Sequence, residues 1–421
     1  MKKAISIISA VAILLCLCSC YGGAVRVSKD EVNIPSNTAC STYFPIMETE
    51  NGFYYTMRGY YTLRYYDKAS GKDIFCCNKP ECAHDGNSYC AATSSEYDLS
   101  YAAMYDGAIY VPVTKLTDDT LEYKLLRVEK DGTARSEVCT FLTLKNANPI
   151  GTVNGNDLIL HKGKAFVHFS YEYRNEYGIS SNDMINGIMV IDLSSGDYYE
   201  LPTDMLDFEN SFWGQIYTRA DDDWFYYTIS YDDTPEDECD VYRYNFVTGE
   251  TEKLDMPRVF SSYTVWNDCV YYTKCDISDK DNKNVQIYRY YPDTGVTEKF
   301  TEKPIPEKTI VKVSCTAGND QPEITTDGKY FYYVNIGLDS NDYYANDEIP
   351  FQPECTVFSK EGVELARFML PTELLEYEKD YCMNVVNGKV YFQSFYSVWS
   401  CSVDDILSEN VSWSKMYSNN V

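Results

Sequence analysis

Apolar and polar positions alternate along most of this chain in short runs, and each run begins at a tight turn. Asn51-Gly52 leads into Phe53-Tyr54-Tyr55, Asp106-Gly107 into Ala108-Ile109-Tyr110, and Lys162-Gly163 into Lys164-Ala165-Phe166. Asp222-Asp223 precedes Trp224-Phe225-Tyr226-Tyr227, and Asn267-Asp268 precedes Cys269-Val270-Tyr271-Tyr272. Asp327-Gly328 and Asn387-Gly388 open two more, at Tyr330-Phe331-Tyr332-Tyr333 and Val390-Tyr391-Phe392. Dipeptides of this kind accept the positive φ of a two-residue hairpin, so each run predicts a pair of antiparallel strands. Most runs are trailed by another strand and a second turn, as in Val241-Tyr242-Arg243-Tyr244 before Thr248-Gly249-Glu250. Comparable second turns centre on Gly71, Gly132, Gly196, Gly295 and Gly362. The unit is therefore four antiparallel strands.

Seven such units, roughly 45 to 60 residues apart, predict an all-β chain folded as a seven-bladed β-propeller of four-stranded antiparallel blades. The last unit departs from the pattern. Asp404-Asp405-Ile406-Leu407 replaces its second turn with a short helical turn, before a closing strand near Trp413 to Tyr417. A blade packs on a neighbour through each face, which is why aromatic residues occupy consecutive positions. With the tight turns on one side of the disc, the longer connections belong to the other. These are Glu172 to Ile185, Asp232 to Asp240, Asp276 to Asn284 and Gly337 to Pro353. Loops of variable length on a rigid frame commonly carry binding.

Composition sharpens this picture. Among 421 residues, 64 Asp+Glu oppose 36 Lys+Arg, a formal net charge of −28. Clustered cations are what hold a phosphate backbone, so nucleic acid is excluded as a general partner. The 41 tyrosines suit strands and offer ring area with a polar tip, which reads first as packing between blades and second as a sugar platform.

The N-terminus has its own logic. Lys2-Lys3 is followed by about 14 apolar residues from Ala4 to Leu17, fewer than the roughly 20 that a spanning helix needs. Leu17-Cys18-Ser19-Cys20 then resembles the end of a bacterial lipoprotein signal. That resemblance implies cleavage before Cys20 and a diacylglycerol on its thiol, holding the protein at the outer side of the cell membrane. Acyl chains such as palmitate each contribute about 0.8 kcal/mol per buried methylene. The expected organisation is a signal peptide over residues 1–19, a lipid-anchored tether over 20–37 and the propeller over 38–421.

The phrase Ile287-Tyr288-Arg289-Tyr290, with Thr294-Gly295 after it, resembles the repeats of TolB-like and YWTD-like propellers. Arginine recurs at the related positions Arg64, Arg127 and Arg243, but not in the third, sixth or seventh unit. The resemblance covers residues 40–421 and implies fold alone, because propellers host enzymes, receptors and scaffolds alike.

Cysteine supplies the sharpest local signal. Cys76-Cys77-Asn78-Lys79-Pro80-Glu81-Cys82-Ala83-His84-Asp85, followed by Cys90, resembles a segment of clostridia-type propeller lipoproteins and lies in the crossing from the first blade to the second, on the side of the long loops. Cys77, Cys82, His84 and Cys90 could complete a closed tetrahedral zinc site, structural because no ligand position stays open. Disulfides are the other reading, since an exported chain meets an oxidising compartment. After the signal is removed and Cys20 acylated, 13 cysteines remain, an odd number that leaves at least one outside any intramolecular pair. Cys239 and Cys275, beside insertions of adjacent blades, are a candidate disulfide.

Other chemistry is sparse. His84, His161 and His168 are the only histidines, and no Gly-x-Ser-x-Gly elbow or Walker loop occurs. Asp279-Lys280-Asp281-Asn282-Lys283 places Lys283 where an EF-hand loop needs its third oxygen ligand. A carboxylate pair for glycoside cleavage could lie among the acids. The sequence thus predicts a lipid-anchored propeller that binds a glycan, peptide or protein partner, with a glycoside-processing enzyme and an envelope scaffold as the alternatives.

Overall fold

Four-stranded antiparallel sheets form wherever the turn-and-strand unit recurs, and there are seven of them. The structure, a computed structural model, describes residues 46–57, 62–86, 90–94, 99, 101–117, 119–149, 158–174, 180–202, 218–230, 239–259, 263–276, 284–306, 323–335, 354–371, 381–394 and 397–418. The expected signal, Cys20 and the tether lie outside these residues, as do the acidic segments around Asp279 and Asp339.

Blade 1 consists of Met47–Glu48, Gly52–Met57, Thr62–Asp67 and Lys72–Phe75. Blade 4, with Thr218–Asp221, Trp224–Ser230, Cys239–Asn245 and Thr251–Lys253, shows the same order of neighbours, as do the other five. Positive φ angles at Asp106-Gly107 and Asn387-Gly388 mark the tight first turns, and Asn267-Asp268 reaches the same conformation without glycine. Blade 7 carries the expected helical turn, Val403–Leu407, where Ser402 caps the Asp404 amide before the strand Ser414–Ser418 closes the sheet.

Each seam between blades holds its own apolar cluster. Alternation along the second strand divides the aromatic runs between seams: Phe225 and Tyr227 pack toward blade 3, whereas Tyr226 packs toward blade 5. Among the described residues the twelve bulkiest fully buried side chains are all tyrosines, which supports reading them as packing. At Tyr54 and Tyr123 the hydroxyl does what phenylalanine could not. Tyr54 of blade 1 donates to the Lys130 carbonyl of blade 2 at 2.8 Å, and Tyr123 of blade 2 donates to the Ser170 carbonyl of blade 3. At these two positions a buried ring fills the seam while its polar tip satisfies a backbone group across it.

Blades 7 and 1 meet at the two ends of the chain. Their seam combines the cluster of Phe53, Tyr55, Tyr391 and Val398 with buried polar links. Gln393 Nε2 donates to the Thr56 carbonyl at 2.7 Å, and the Asn384 amide oxygen accepts from the Ile46 amide at 3.4 Å. Glu48, only 4% exposed, accepts from Lys68 at 2.7 Å and lies 3.6 Å from the Lys389 ammonium.

The recurrent arginines divide by one residue of register. Arg243 and Arg289 stand opposite Tyr226 and Tyr271 on one side and pair directly with Glu252 and Glu298 on the other. Arg127 likewise stands opposite Tyr110. Arg64 is opposite Tyr55, whose side chain packs toward blade 7, so it belongs to the other face despite its similar place in the sequence.

One expected insertion is largely regular structure. In blade 3 the second and third strands, Lys164–Arg174 and Ser180–Asp192, extend as one long hairpin through most of the segment from Glu172 to Ile185. Blade 2 is also elongated, with Ala108–Leu116 and Thr120–Glu129. The short strand Ala147–Pro149, which follows the outer strand Arg135–Lys145 of blade 2, pairs with Tyr171 to Tyr173 and ties the two long hairpins together.

The second turns make contacts of their own. Gly362 of blade 6 has φ +79°, and a Cβ there would overlap the Phe300 carbonyl of blade 5, whereas Gly295, at φ +67°, has open space. Gly362→Ala should therefore destabilise the protein by about 2–4 kcal/mol and Gly295→Ala by about 1 kcal/mol, as read from urea midpoints. In blade 3, hydrogen bonds from Ser194 and Ser195 to the Asp192 carboxylate hold its pKa down to about 2. A depressed carboxylate stabilises the fold above its unfolded pKa and loses that contribution as pH falls through the folded value. Asp192 is partly exposed, so Asp192→Ala should cost roughly 0.5–1 kcal/mol at pH 7 after allowing for solvent screening. In urea titrations that difference should shrink below about pH 4 and vanish near pH 2.

Candidate metal centre

Two adjacent cysteines begin the site and serve different ends. After Lys72–Phe75, the Cys76 amide makes one more sheet bond, to the Leu63 carbonyl at 3.0 Å. Leu201, Leu254 and Phe300 make the equivalent bond after the outer strands of blades 3, 4 and 5. Cys76 is thus the buried apolar plug of the repeat, and burial raises its thiol pKa far above the ordinary value. One residue later the chain leaves the sheet, with the Cys77 amide bonded to the Phe75 carbonyl at 2.7 Å.

Local turn chemistry brings the other ligands back toward Cys77. Lys79-Pro80-Glu81-Cys82 closes a turn through a 3.1 Å bond from the Cys82 amide to the Lys79 carbonyl, with proline at the position that its fixed φ favours. His84 adopts φ +55° and Gly86 φ +87°, which fold the chain inward. The Gly86 amide donates to Thr93 Oγ1 at 3.2 Å, and the Leu63 amide holds the Ala92 carbonyl at 2.9 Å, fixing the stretch that carries Cys90.

The result gathers all four residues expected from the sequence. One ligand atom from each of Cys77, Cys82, His84 and Cys90 lies within 4.8 Å of all the others. Cys90 Sγ and His84 Nδ1 are 3.5 Å apart. A tetrahedral zinc with sulfur at about 2.3 Å and nitrogen at about 2.0 Å sets its ligands about 3.5–3.8 Å from one another, so the sulfur–nitrogen edge already fits and the widest pair would contract by about 1 Å. Three sulfurs and an imidazole favour zinc over harder cations. None of the three cysteines is in a disulfide.

Electrostatics distinguishes the thiols. Burial acts to raise Cys90, but hydrogen bonds with Thr93, His84, the Ala92 backbone and Cys82 prevail and bring it down to about 7. Cys82 is pushed up to about 11 by burial, with the Cys90 and Cys77 sulfurs adding to the shift. Cys90 is therefore the readier thiolate, the form a metal binds. The His84 ring stacks on Phe75 with centroids 4.6 Å apart and planes at 26°, and the Arg64 guanidinium lies 4.5 Å from the same phenyl ring.

The position of the cluster differs from the strand-count expectation. It is not confined to the side of the long loops: the Asn78 amide donates to the Gly132 carbonyl at 3.0 Å, in the second turn of blade 2. Outer strands carry the accumulated twist of a blade, so the end of one outer strand runs into the second turn of the next blade. Gly362 against Phe300 repeats this arrangement, and Gly196 approaches Val138 within the outer strand of blade 2.

The remaining candidates are structural or only partly described. His161 Nε2 donates to the Asp222 carbonyl at 2.6 Å, and His168 Nε2 lies 3.3 Å from the Asn186 amide oxygen, both buried. Cys239 is buried and its backbone pairs with Val259, while the Cys275 side chain lies outside the described residues.

No protein-family model matches the chain, and no curated protein matches it. Among solved structures it is similar to the propeller domain of the Trilobed protease from Pyrococcus furiosus, at 15% identity and TM-score 0.42, covering 73% of this chain and 81% of that one. It is also similar to the GH74 enzyme of Niastella koreensis, at 11% identity and TM-score 0.49, covering 92% of this chain and 55% of that one. Dipeptidyl peptidase 4 of Porphyromonas gingivalis aligns at 11% identity and TM-score 0.41, covering 93% and 56%. The chain thus spans about half the length of the last two. None reaches a TM-score of 0.5, and at these identities no activity passes from any of them to this protein.

Proposed function

We propose that this protein is a lipid-anchored, extracytoplasmic propeller that binds a glycan, peptide or protein partner, and that its Cys/His cluster holds a structural zinc. The observation that carries the binding reading is the wall made by blades 2 and 3. Their paired second and third strands have 9 to 13 residues, against 5 to 8 in the other blades. The extra length lies at the end away from the tight first turns, where Leu116 and Tyr173 are exposed. A raised, cross-linked wall on a rigid ring is a surface on which a ligand can be held without ordering the loop first.

Binding to immobilised glycans and peptides, scored on the mature chain, tests this reading. Leu116→Asp combined with Tyr173→Ala should lower affinity at least tenfold, whereas Val247→Asp, on the second turn of blade 4 at the opposite side, should leave it unchanged. Release of reducing sugar from a bound glycan would replace the binding reading with the enzymatic one. Anchoring is tested separately: Cys20→Ala should move the protein from the detergent phase to the aqueous phase in a phase-separation assay.

The zinc reading predicts one zinc per chain by elemental analysis and the Cys77, Cys82 and Cys90 thiols recovered after chelation. His84→Asn should lower zinc affinity at least tenfold, since asparagine tolerates the left-handed backbone of His84 but removes the ligand. Protein without zinc and with these cysteines oxidised would overturn it.

A further inference from the structure

We infer that the zinc acts as the lock of the seam between blades 1 and 2, so that metal loading controls how tightly this one seam is closed. The inference rests on the zinc reading above and adds a mechanical role to it. Its basis is the way each ligand is attached to the two blades.

Cys77 leaves blade 1 and lies directly against blade 2. A Cβ placed on Gly132 would come within 2.8 Å of the Cys77 amide nitrogen and Cα, so backbone meets backbone at the seam. Asn78, the next residue, binds the same turn twice, through its amide to the Gly132 carbonyl and through its side-chain amide to the Asp131 carbonyl. Cys90 approaches from the other direction. Its neighbours Ala91 and Ala92 are fully buried in the apolar cluster shared by the two blades, and Ala92 is bonded to Leu63 of blade 1. Thr93 accepts at its carbonyl from Arg135 Nη1, on the outer strand of blade 2, at 2.9 Å.

Cys77 and Cys90 therefore sit on stretches that touch both blades, whereas the described residues between them, 78–86, are held by a turn bond, the stack of His84 on Phe75 and single hydrogen bonds. Residues 78–89 contain no Val, Leu, Ile, Met or Phe. A loop of this composition has too little apolar surface to offset the entropy of ordering it, and a metal can supply that stabilisation. Among the described residues, the crossings that begin at Leu201, Leu254 and Phe300 hold no comparable group of metal-ligating side chains. Binding a divalent ion to Cys77, Cys82 and Cys90 as thiolates and His84 as a neutral imidazole releases the thiol protons and joins four points of the loop into one rigid unit. Through Cys77-Asn78 and Cys90-Thr93 that unit grips the second turn and the outer strand of blade 2.

Hydrogen exchange of the zinc-loaded full-length protein, compared with the same protein after chelation, tests the lock. Chelation should speed amide exchange at least tenfold in residues 90–94 and 129–137, and leave 46–57 and 389–402, at the seam of blades 7 and 1, within twofold. Zinc loss without faster exchange in the first two segments would overturn the lock while sparing the zinc reading. Equal acceleration over all segments would also overturn it, because the ion would then stabilise the ring as a whole. Protein that never takes up zinc would remove both readings. Asn78→Ala, which keeps all four ligands, is expected to retain one zinc per chain yet exchange several-fold faster at 129–137. Unchanged exchange there would contradict the proposed grip.

Discussion

Every blade of this protein must bury two faces, and that requirement governs the rest of the structure. A four-stranded sheet with apolar side chains on both sides has no stable existence alone, so each blade depends on a neighbour to its left and another to its right. The ring satisfies all seven at once. Because side chains alternate along a strand, consecutive aromatic residues such as Phe225, Tyr226 and Tyr227 serve two different seams, and a substitution at one position is felt on one side only. Tyrosine adds to this role where a seam is crossed by a backbone carbonyl that requires a donor. The Tyr54 and Tyr123 hydroxyls meet that need across the seams of blades 1–2 and 2–3.

Much of this was legible in the sequence for a physical reason: turns and aromatic doublets are local. Seven turn-and-strand units, the helical turn at Asp404, the grouping of Cys77, Cys82, His84 and Cys90, and the packing role of the tyrosines all follow from residues close together in the chain. What depends on twist or register was not. The apparent loop from Glu172 to Ile185 largely continues a hairpin, because a polar residue such as Ser180 does not prevent pairing once a long partner strand stands beside it. Arg64 looks like a member of the arginine set, yet a one-residue offset turns it to the opposite face. Sequence placed the Cys/His cluster on one side of the disc, but the outer strand of blade 1 carries its end to the second turn of blade 2.

Cys76 and Cys77 illustrate how closely the two kinds of information lie. Both are buried cysteines in the same dipeptide, and composition cannot separate them. The sheet does: Cys76 occupies the place of Leu201, Leu254 and Phe300, where only size and apolarity matter, and Cys77 is the first residue free of the ladder. Replacing Cys76 by a larger apolar residue is a packing question, whereas replacing Cys77 removes one of the four clustered donor atoms. Sequence spacing counted from Cys76 would give a different metal motif, and the backbone bond to Leu63 decides against it.

The two seams at blade 1 close by different means. Toward blade 7 the chain ends meet through Gln393, Asn384 and the buried Glu48 with its lysines, groups that are preformed on strands and cost little additional ordering. Toward blade 2 the connecting residues are polar and long, and their anchors are Asn78, Thr93 and the sulfur and imidazole atoms gathered at the seam. A ring transmits a local loosening to its neighbours only as far as the next well-packed seam. Blades 2 and 3 are joined by the strand Ala147–Pro149 in addition to their apolar cluster, so they would move as a pair. Loosening at the cluster would therefore tilt the raised wall of both blades together relative to blade 1, which connects the proposed metal lock to the proposed binding surface.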